Sequence, residues 1–228
     1  MKTAMTIAVL GATGMVGSRV ITEASARGHQ VLALSRKPAS DDPKVTPVAV
    51  DANDMHALRQ ALTDSASHRA VDAVVVAVRT APVDEEFLVG TTRTVLDIAA
   101  QLGLRVLVVG GAGVLRSPDD PDLLVADNPA YVPAEIKTIA AAGIAQLRTC
   151  QAHASADWVY LSPPALLEPG DRTGRYRRGT DTLLTSADGQ SWISAEDLAV
   201  AVVDELETPG PEHLFTVIHR DERPTSSQ

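Results

Sequence analysis

GATGMVG, residues 11–17, follows the apolar run MTIAVL at 5–10 and opens a stretch whose apolar residues recur at helical spacing. Strand, glycine turn, helix is the order in which a βαβ unit presents a phosphate-binding turn, here with glycines at 11, 14 and 17 as G-x-x-G-x-x-G. Gly11 permits the tight turn, Gly14 lets a pyrophosphate approach the backbone, and Gly17 lets the helix pack closely on the strand. Amides at the start of the helix, around Met15 and Val16, lack intrahelical partners and can meet phosphate oxygens, with the Thr13 hydroxyl beside them.

Outward from that turn the chain alternates. Val16, Val20, Ile21 and Ala24 share a helical face ending near Gly28, after which HQVLALS (29–35) and VTPVAV (45–50) read as strands. A helix is predicted from Asp51 to Leu62, capped by Asn53 or Asp54, and VDAVVVAV (71–78) is a buried strand. An amphipathic helix over 85–102, a strand at 104–111, an alanine-rich helix over 134–153 and a strand at 157–163 complete the pattern. Strands joined by helical crossovers specify an α/β fold, a Rossmann-like doubly wound parallel sheet. After 163 the composition turns to Pro, Gly and charge and reads as a loop or hairpin. A helix over 194–209, capped by Ser194, and a strand at 212–219 follow. The expected organisation is a dinucleotide-binding core over 1–163, a small C-terminal substrate lobe with the core's last helix and strand over 164–220, and a flexible tail over 221–228.

Composition narrows the function. The 228 residues are 45% hydrophobic but only 3% aromatic, leaving the core to Ala, Val, Leu and Ile, as suits parallel strands covered on both faces. A net charge of −9 argues against nucleic-acid and anionic-membrane partners. Cys150 is the only cysteine, and the histidines at 29, 56, 68, 153, 213 and 219 include no H-x-x-x-H pair, so neither a disulfide nor a metal site is expected. Ser35, Ser117 and Ser155 lack the G-x-S-x-G elbow of acyl-transfer enzymes. The chain opens with no secretory pattern and has no apolar run of the ~18 residues a span needs, so the expected compartment is the cytoplasm. No helix has an unmistakable exposed apolar stripe, and monomer and homodimer are both compatible with the sequence.

The end of the second strand distinguishes the dinucleotides. Ser35, Arg36 and Lys37 stand where an NAD site usually places a carboxylate for the ribose hydroxyls, and two cations suit the 2′-phosphate of NADP(H), favoured here over NAD(H). A solvated basic turn is the plainer reading, and Asp41 and Asp42 are close by. Asp51–Ala52, after the third strand, either faces the adenine amino group or belongs to a helix cap.

Taken with GATGMVG and this basic turn, SPPALLEPGDRTGRYRRGTDTLLT (162–185) and SWISAEDLAVAVVDELE (191–207) resemble the NADH-flavin reductase group of the atypical short-chain dehydrogenase/reductases. That group is close to the biliverdin reductase B and NmrA-like branches. The resemblance spans nearly the whole chain and implies reduction of a flavin or similar conjugated acceptor by a nicotinamide cofactor. Within it, Ser162, Pro163 and Pro164 line the nicotinamide end of the cleft. Val78 and Arg79 after the fourth strand, and Gly111, Ala112 and Gly113 after the fifth, belong to the same carboxyl edge of the sheet. Tyr131 and Arg175 are further candidates at the substrate end. Arg172, Arg175, Arg177 and Arg178 read either as a lid for anionic groups or as a solvated hairpin offset by Asp171 and Asp181.

YVPAEIKT (131–138) contains the tyrosine and lysine of a classical catalytic pair, but at the wrong spacing. Residues four apart stack on one helical face; Tyr131 and Lys137, six apart, would diverge by about 120°. Position 135 is Glu135, Pro133 places the tyrosine ahead of the helix, and the fifth strand runs into glycines where a serine would be expected. No catalytic acid is therefore assigned. Flavins and quinones are reduced mainly by alignment of two rings, whereas a ketone benefits from an acid aimed at the developing alkoxide. The expected partner is a small-molecule acceptor of the flavin or quinone type. An NmrA-like NADP(H)-binding regulator without turnover, and an epimerase, dehydratase or isomerase on the same fold, remain open alternatives.

Overall fold

Successive side chains of each central strand point to opposite faces, and both faces are buried. In the computed structural model, which describes residues 4–63 and 70–220, β1 (Thr6–Leu10) sends Ile7 and Val9 to one face and Ala8 and Leu10 to the other, all buried. β2 (Gln30–Ser35), β3 (Val45–Ala49), β4 (Ala73–Val76), β5 (Arg105–Val109) and β6 (Asp157–Ser162) pair in parallel around it. His68 and the tail expected at 221–228 lie outside the described residues.

Among the described residues, five α-helices cover the sheet: α1 (Met15–Ala26), α2 (Met55–Thr63), α3 (Glu85–Leu102), α4 (Lys137–Gln151) and α5 (Ala195–Glu207). Val20 and Ala24 of α1 join Leu198 and Val202 of α5 against the Ile7–Val9 face. Leu58 of α2, Val95 and Leu96 of α3 and Leu147 of α4 cover the Ala8–Leu10 face. This is the doubly wound Rossmann-like architecture expected from the alternating pattern. Helix α2 begins later than its apolar pattern indicated. The Asp51 carboxylate and carbonyl accept the Asn53 and Asp54 amides in a turn, and Asp54 takes the cap by accepting the Ala57 amide at 2.9 Å. Helix α4 also begins late, after a 3-10 turn over Ala134–Ile136 that follows Pro133.

The segment after 163 forms three short strands: β7 (Leu166–Glu168), β8 (Tyr176–Gly179) and β9 (Trp192–Ser194). β7 and β9 make a separate parallel pair. β8 pairs antiparallel with the last strand, β10 (Leu214–His219), which itself pairs parallel with β6. The main sheet runs β3-β2-β1-β4-β5-β6-β10-β8. The order reverses between β1 and β4, which opens a crevice at the carboxyl ends of the strands.

Both readings of the basic segment missed the partners of Arg172 and Arg178, which are buried acids on α1 and α5. Arg172 donates to both oxygens of buried Glu23 at 2.6 and 2.8 Å, and Arg27 donates to Glu23 at 2.7 Å. Arg178 joins Arg105 on the buried Glu205 carboxylate and lies 3.8 Å over the Phe215 ring. Between them, buried Asp197 accepts the Thr173 and Gly174 amides at 2.8 and 2.7 Å. Arg172 above all, against the opposing cost of burial, holds the Glu23 carboxyl below its ordinary value of 4.5. The folded state therefore favours the ionised form, so this contribution is fully present above pH 4.5 and is lost as pH falls through the lower folded-state value. Glu23→Gln should lower Tm at neutral pH and flatten the fall of Tm under acid, as checked by thermal melts across that range.

Candidate functional site

A cleft of about 1250 Å³ lies at the carboxyl edge of the sheet, along the crevice set by the strand order. Its centre is the glycine turn. Gly11 sits at φ +92°, and a Cβ there would lie 2.3 Å from the Ala77 carbonyl oxygen. A Cβ on Gly17 would lie 2.2 Å from the Gly11 carbonyl oxygen, so the first turn of α1 rests directly on the loop. Gly14 caps α1 without a side chain, leaving the helix start open to an outside anion.

On the β2–β3 side the wall is Ser35, Arg36, Lys37, Asp51, Ala52 and Asn53. Arg36 and Lys37 are exposed and form no ion pair with a described residue. The Ser35 hydroxyl is buried and lacks a hydrogen-bond partner among the described residues. Asp42, five residues beyond Lys37, is turned away, accepting from the Ser25 hydroxyl and the Lys44 amide. Asp51 faces the cleft while Asp54 caps α2.

On the β5–β6 side the floor is Gly110 to Gly113, with Pro163 and Pro164 after β6. Tyr160 explains why Gly110 has no side chain. A Cβ there would lie 1.8 Å from the phenol oxygen, which donates toward the Gly143 carbonyl at 3.2 Å and Gln146 Oε1 at 3.3 Å. Burial pushes the Tyr160 hydroxyl well above its ordinary pKa, so it stays a proton-bearing strut beneath the floor. Ser162 is likewise structural in its contacts: fully buried and off the cleft lining, it donates to the Gly111 carbonyl at 2.9 Å.

Of the residues singled out from the sequence, the cleft gathers Gly11, Thr13, Gly14, Met15, Val16, Ser35, Arg36, Lys37, Asp51, Ala52, Val78, Arg79, Gly111, Ala112, Gly113, Tyr131, Pro163 and Pro164. Ser162 and Arg175 are not on its lining; Arg175 follows the Thr173–Gly174 loop held by Asp197. Tyr131 lines the cleft from the loop before α4, and Lys137 is exposed and off the lining, so the two form no dyad. Phe87, Ile139, Gln146 and Leu167 also line the cleft and were missed. Phe87 was findable, because it lies in the first turn of α3, directly after β4 delivers the chain to the carboxyl edge.

The donor set fits a nicotinamide dinucleotide: an uncapped helix start for the pyrophosphate, a hydroxyl and two exposed cations without partners among the described residues at the β2 end, and apolar side chains elsewhere on the lining. A family model described as NAD(P)H-binding matches residues 11–209. The chain belongs to the NAD(P)H-binding family. It is 35% identical to the uncharacterised protein YwnB of Bacillus subtilis over 225 residues, 96% of this chain and 100% of that protein. Among solved structures, a candidate epimerase from Bacteroides thetaiotaomicron is 31% identical with a TM-score of 0.84, covering 97% of this chain and 100% of the other. A candidate NADH-flavin reductase from Streptococcus pneumoniae is 26% identical with a TM-score of 0.82, covering 95% and 100%. These matches bear out the resemblance read from the glycine turn and the 162–207 block.

Among the described residues no helix is long and apolar enough to cross a membrane, and no cluster of His, Cys, Asp and Glu could hold a metal ion.

Proposed function

We propose that this protein is an NADPH-dependent reductase that passes hydride to a flavin, quinone or similar conjugated acceptor by aligning the two rings. The observation that carries this reading is the cleft's asymmetry. Cations and a hydroxyl without partners among the described residues lie on the β2 side, and largely apolar side chains without a tyrosine–lysine pair lie on the β5–β6 side. The solved structure of the candidate NADH-flavin reductase, with the same fold over nearly the whole chain, supports it.

Arg36, Lys37 and Ser35 would hold the 2′-phosphate, and the absence of a carboxylate at that strand end removes the usual contact for an unphosphorylated ribose. The amides at the start of α1 would hold the pyrophosphate, and Asp51 would face the adenine amino group. Bound NADPH supplies the hydride. The floor from Gly110 to Gly113, held by Tyr160 and Ser162, fixes the reacting plane. Pro163, Pro164, Phe87 and Leu167 exclude water around the acceptor. Residues 164–194, through Ala165 and Leu167, act as the substrate lobe on the 1–163 core. A reductase drawing on NADPH fits the cytoplasm.

Steady-state oxidation of NADPH against riboflavin, a quinone and a simple ketone tests the reading. Turnover with the first two and not the ketone is expected. Tight NADP⁺ binding with no turnover would instead indicate a redox sensor or a non-redox enzyme. Within the reading, Tyr131→Phe should leave kcat with riboflavin within about threefold of the parent. A tyrosine acting as general acid would cost ~100-fold or more.

A further inference from the structure

Gln146 is the one residue on the described cleft lining whose side chain is both polar and buried, at 3% exposure. Helix α4 turns Ile139, Ala140, Gly143 and Gln146 to the cleft, residues recurring three and four apart along one face. A helical side chain leans back over the turn before it, so Gln146 extends over Gly143. Beyond the helix's own backbone, only the Tyr160 hydroxyl oxygen, at 3.9 Å, comes within 4 Å of a Cβ built at Gly143. That hydroxyl is shared between the Gly143 carbonyl at 3.2 Å and Gln146 Oε1 at 3.3 Å, and it lies under Gly110. The amide therefore adjoins both an open gap and the glycine floor.

Tyr160 settles which end of the amide is left to donate. Burial keeps the phenol protonated, so it donates and Oε1 accepts. Nε2 is turned to Thr92, whose fully buried hydroxyl takes one N–H at 3.1 Å. The second N–H has no partner among the described residues. A buried donor left unpaired destabilises a fold, and on the wall of a cleft a ligand's acceptor atom can offset that cost.

We propose that this spare N–H of Gln146 donates to a carbonyl oxygen of the conjugated acceptor, which the gap over Gly143 admits. The proposal rests on the reductase reading for its chemistry. Hydride brings two electrons and one proton to the acceptor ring and leaves the nicotinamide oxidised. The electron pair displaced through the conjugated system gathers as negative charge on the carbonyl oxygen. A neutral amide stabilises that charge without giving up a proton, and solvent supplies the proton that completes the reduction. Such a donor serves flavins and quinones, and it cannot protonate the alkoxide of a simple ketone.

Two variants separate this role from packing. Gln146→Met keeps the length of the side chain and removes both N–H groups. Gly143→Ala keeps the amide and fills the gap, at a helical position where a methyl has room. In each, riboflavin should bind the NADP⁺-loaded protein about tenfold more weakly by calorimetry, with NADP⁺ affinity within about threefold of the parent. Infrared difference spectra of bound riboflavin with isotope-labelled carbonyls should show one carbonyl stretch at higher frequency in Gln146→Met than in the parent. A purely structural glutamine would not move that band. Gly143→Ala carries both measurements should Gln146→Met fail to fold. An unmoved band, unchanged riboflavin affinity, no riboflavin binding by the parent, or an equal loss of NADP⁺ affinity would overturn the proposal. An unmoved band beside intact NADPH oxidation would leave the reductase reading standing. The expected shift and weaker binding, in a protein whose parent does not oxidise NADPH, would support the Gln146 contact and overturn the reductase reading instead.

Discussion

Gly11→Ala should be among the most damaging single-methyl additions in this chain, while Gly14→Ala, three residues on, should fold and fail to bind. At Gly11 the backbone is left-handed at φ +92°, and the added methyl would lie 2.3 Å from the Ala77 carbonyl oxygen, a backbone atom of β4's exit that has no rotamer by which to escape. Left-handed strain and overpacking together cost roughly 2–5 kcal/mol, a large share of a typical domain's stability. A fall in Tm of about 5–15 °C follows for a chain of this size. At Gly14 the nearest atom to an added Cβ is the Gly11 carbonyl oxygen at 3.2 Å, close enough to require a small shift but not to break the turn. Its methyl would instead stand at the open start of α1, where phosphate must approach the amides. NADPH affinity should drop by at least about tenfold, equivalent to ~1.4 kcal/mol. Melting curves and calorimetry on the two variants separate the effects. A Gly14→Ala protein that binds normally would remove the helix start from the cofactor site.

The second large effect is on cofactor choice. Arg36→Ala with Lys37→Ala removes the two exposed cations of the β2 end, which pair with no described residue, and leaves the glycine turn intact. Charge-assisted contacts of about 1.5–3 kcal/mol are at stake, so NADPH affinity should fall about 10- to 100-fold while NADH affinity changes little. The orphaned Ser35 hydroxyl predicts a smaller loss in the same direction for Ser35→Ala. Equal losses for both cofactors would place the cations against a group that NADH and NADPH share, and would end the 2′-phosphate assignment.

What the sequence made legible was what local spacing controls. The continuous apolar runs of buried strands such as β1, the glycine turn and the helix over 85–102 follow from steric and hydrophobic rules that act within a dozen residues, and the structure has them where the sequence put them. The turn's position between the first strand and helix also placed the site, because a parallel sheet of this order opens at its carboxyl edge. What was not legible depends on partners distant in the chain. β8 looked like part of a local hairpin because its pairing partner, β10, comes only after α5. Arg172 and Arg178 looked solvated because Glu23 and Glu205, which neutralise them, belong to helices at opposite ends of the sequence. Ile139 and Gln146 were invisible as site residues for a similar reason. Which face of α4 meets the cleft is decided by its packing on α3 and the sheet, with Gln146 held by the Thr92 hydroxyl at 3.1 Å.

The same distinction bears on chemistry. Tyr131 and Lys137 could be rejected as a pair from spacing alone, and the structure agrees, with the tyrosine in a loop and the lysine outside the cleft. Tyr160 is fully buried beneath Gly110 and serves that floor as a fixed donor rather than as a proton source for the cleft. On the proposed reading, the acceptor draws its proton from solvent.

The most direct test of that account is an anaerobic single turnover: protein premixed with NADPH, mixed rapidly with riboflavin, and followed at the absorbances of both rings. The account predicts that the flavin bleaches at the rate at which reduced nicotinamide is lost, one for one, and that both phases slow together with NADPH deuterated at the transferred position. Bound NADPH that stays reduced while bound riboflavin stays oxidised would contradict it.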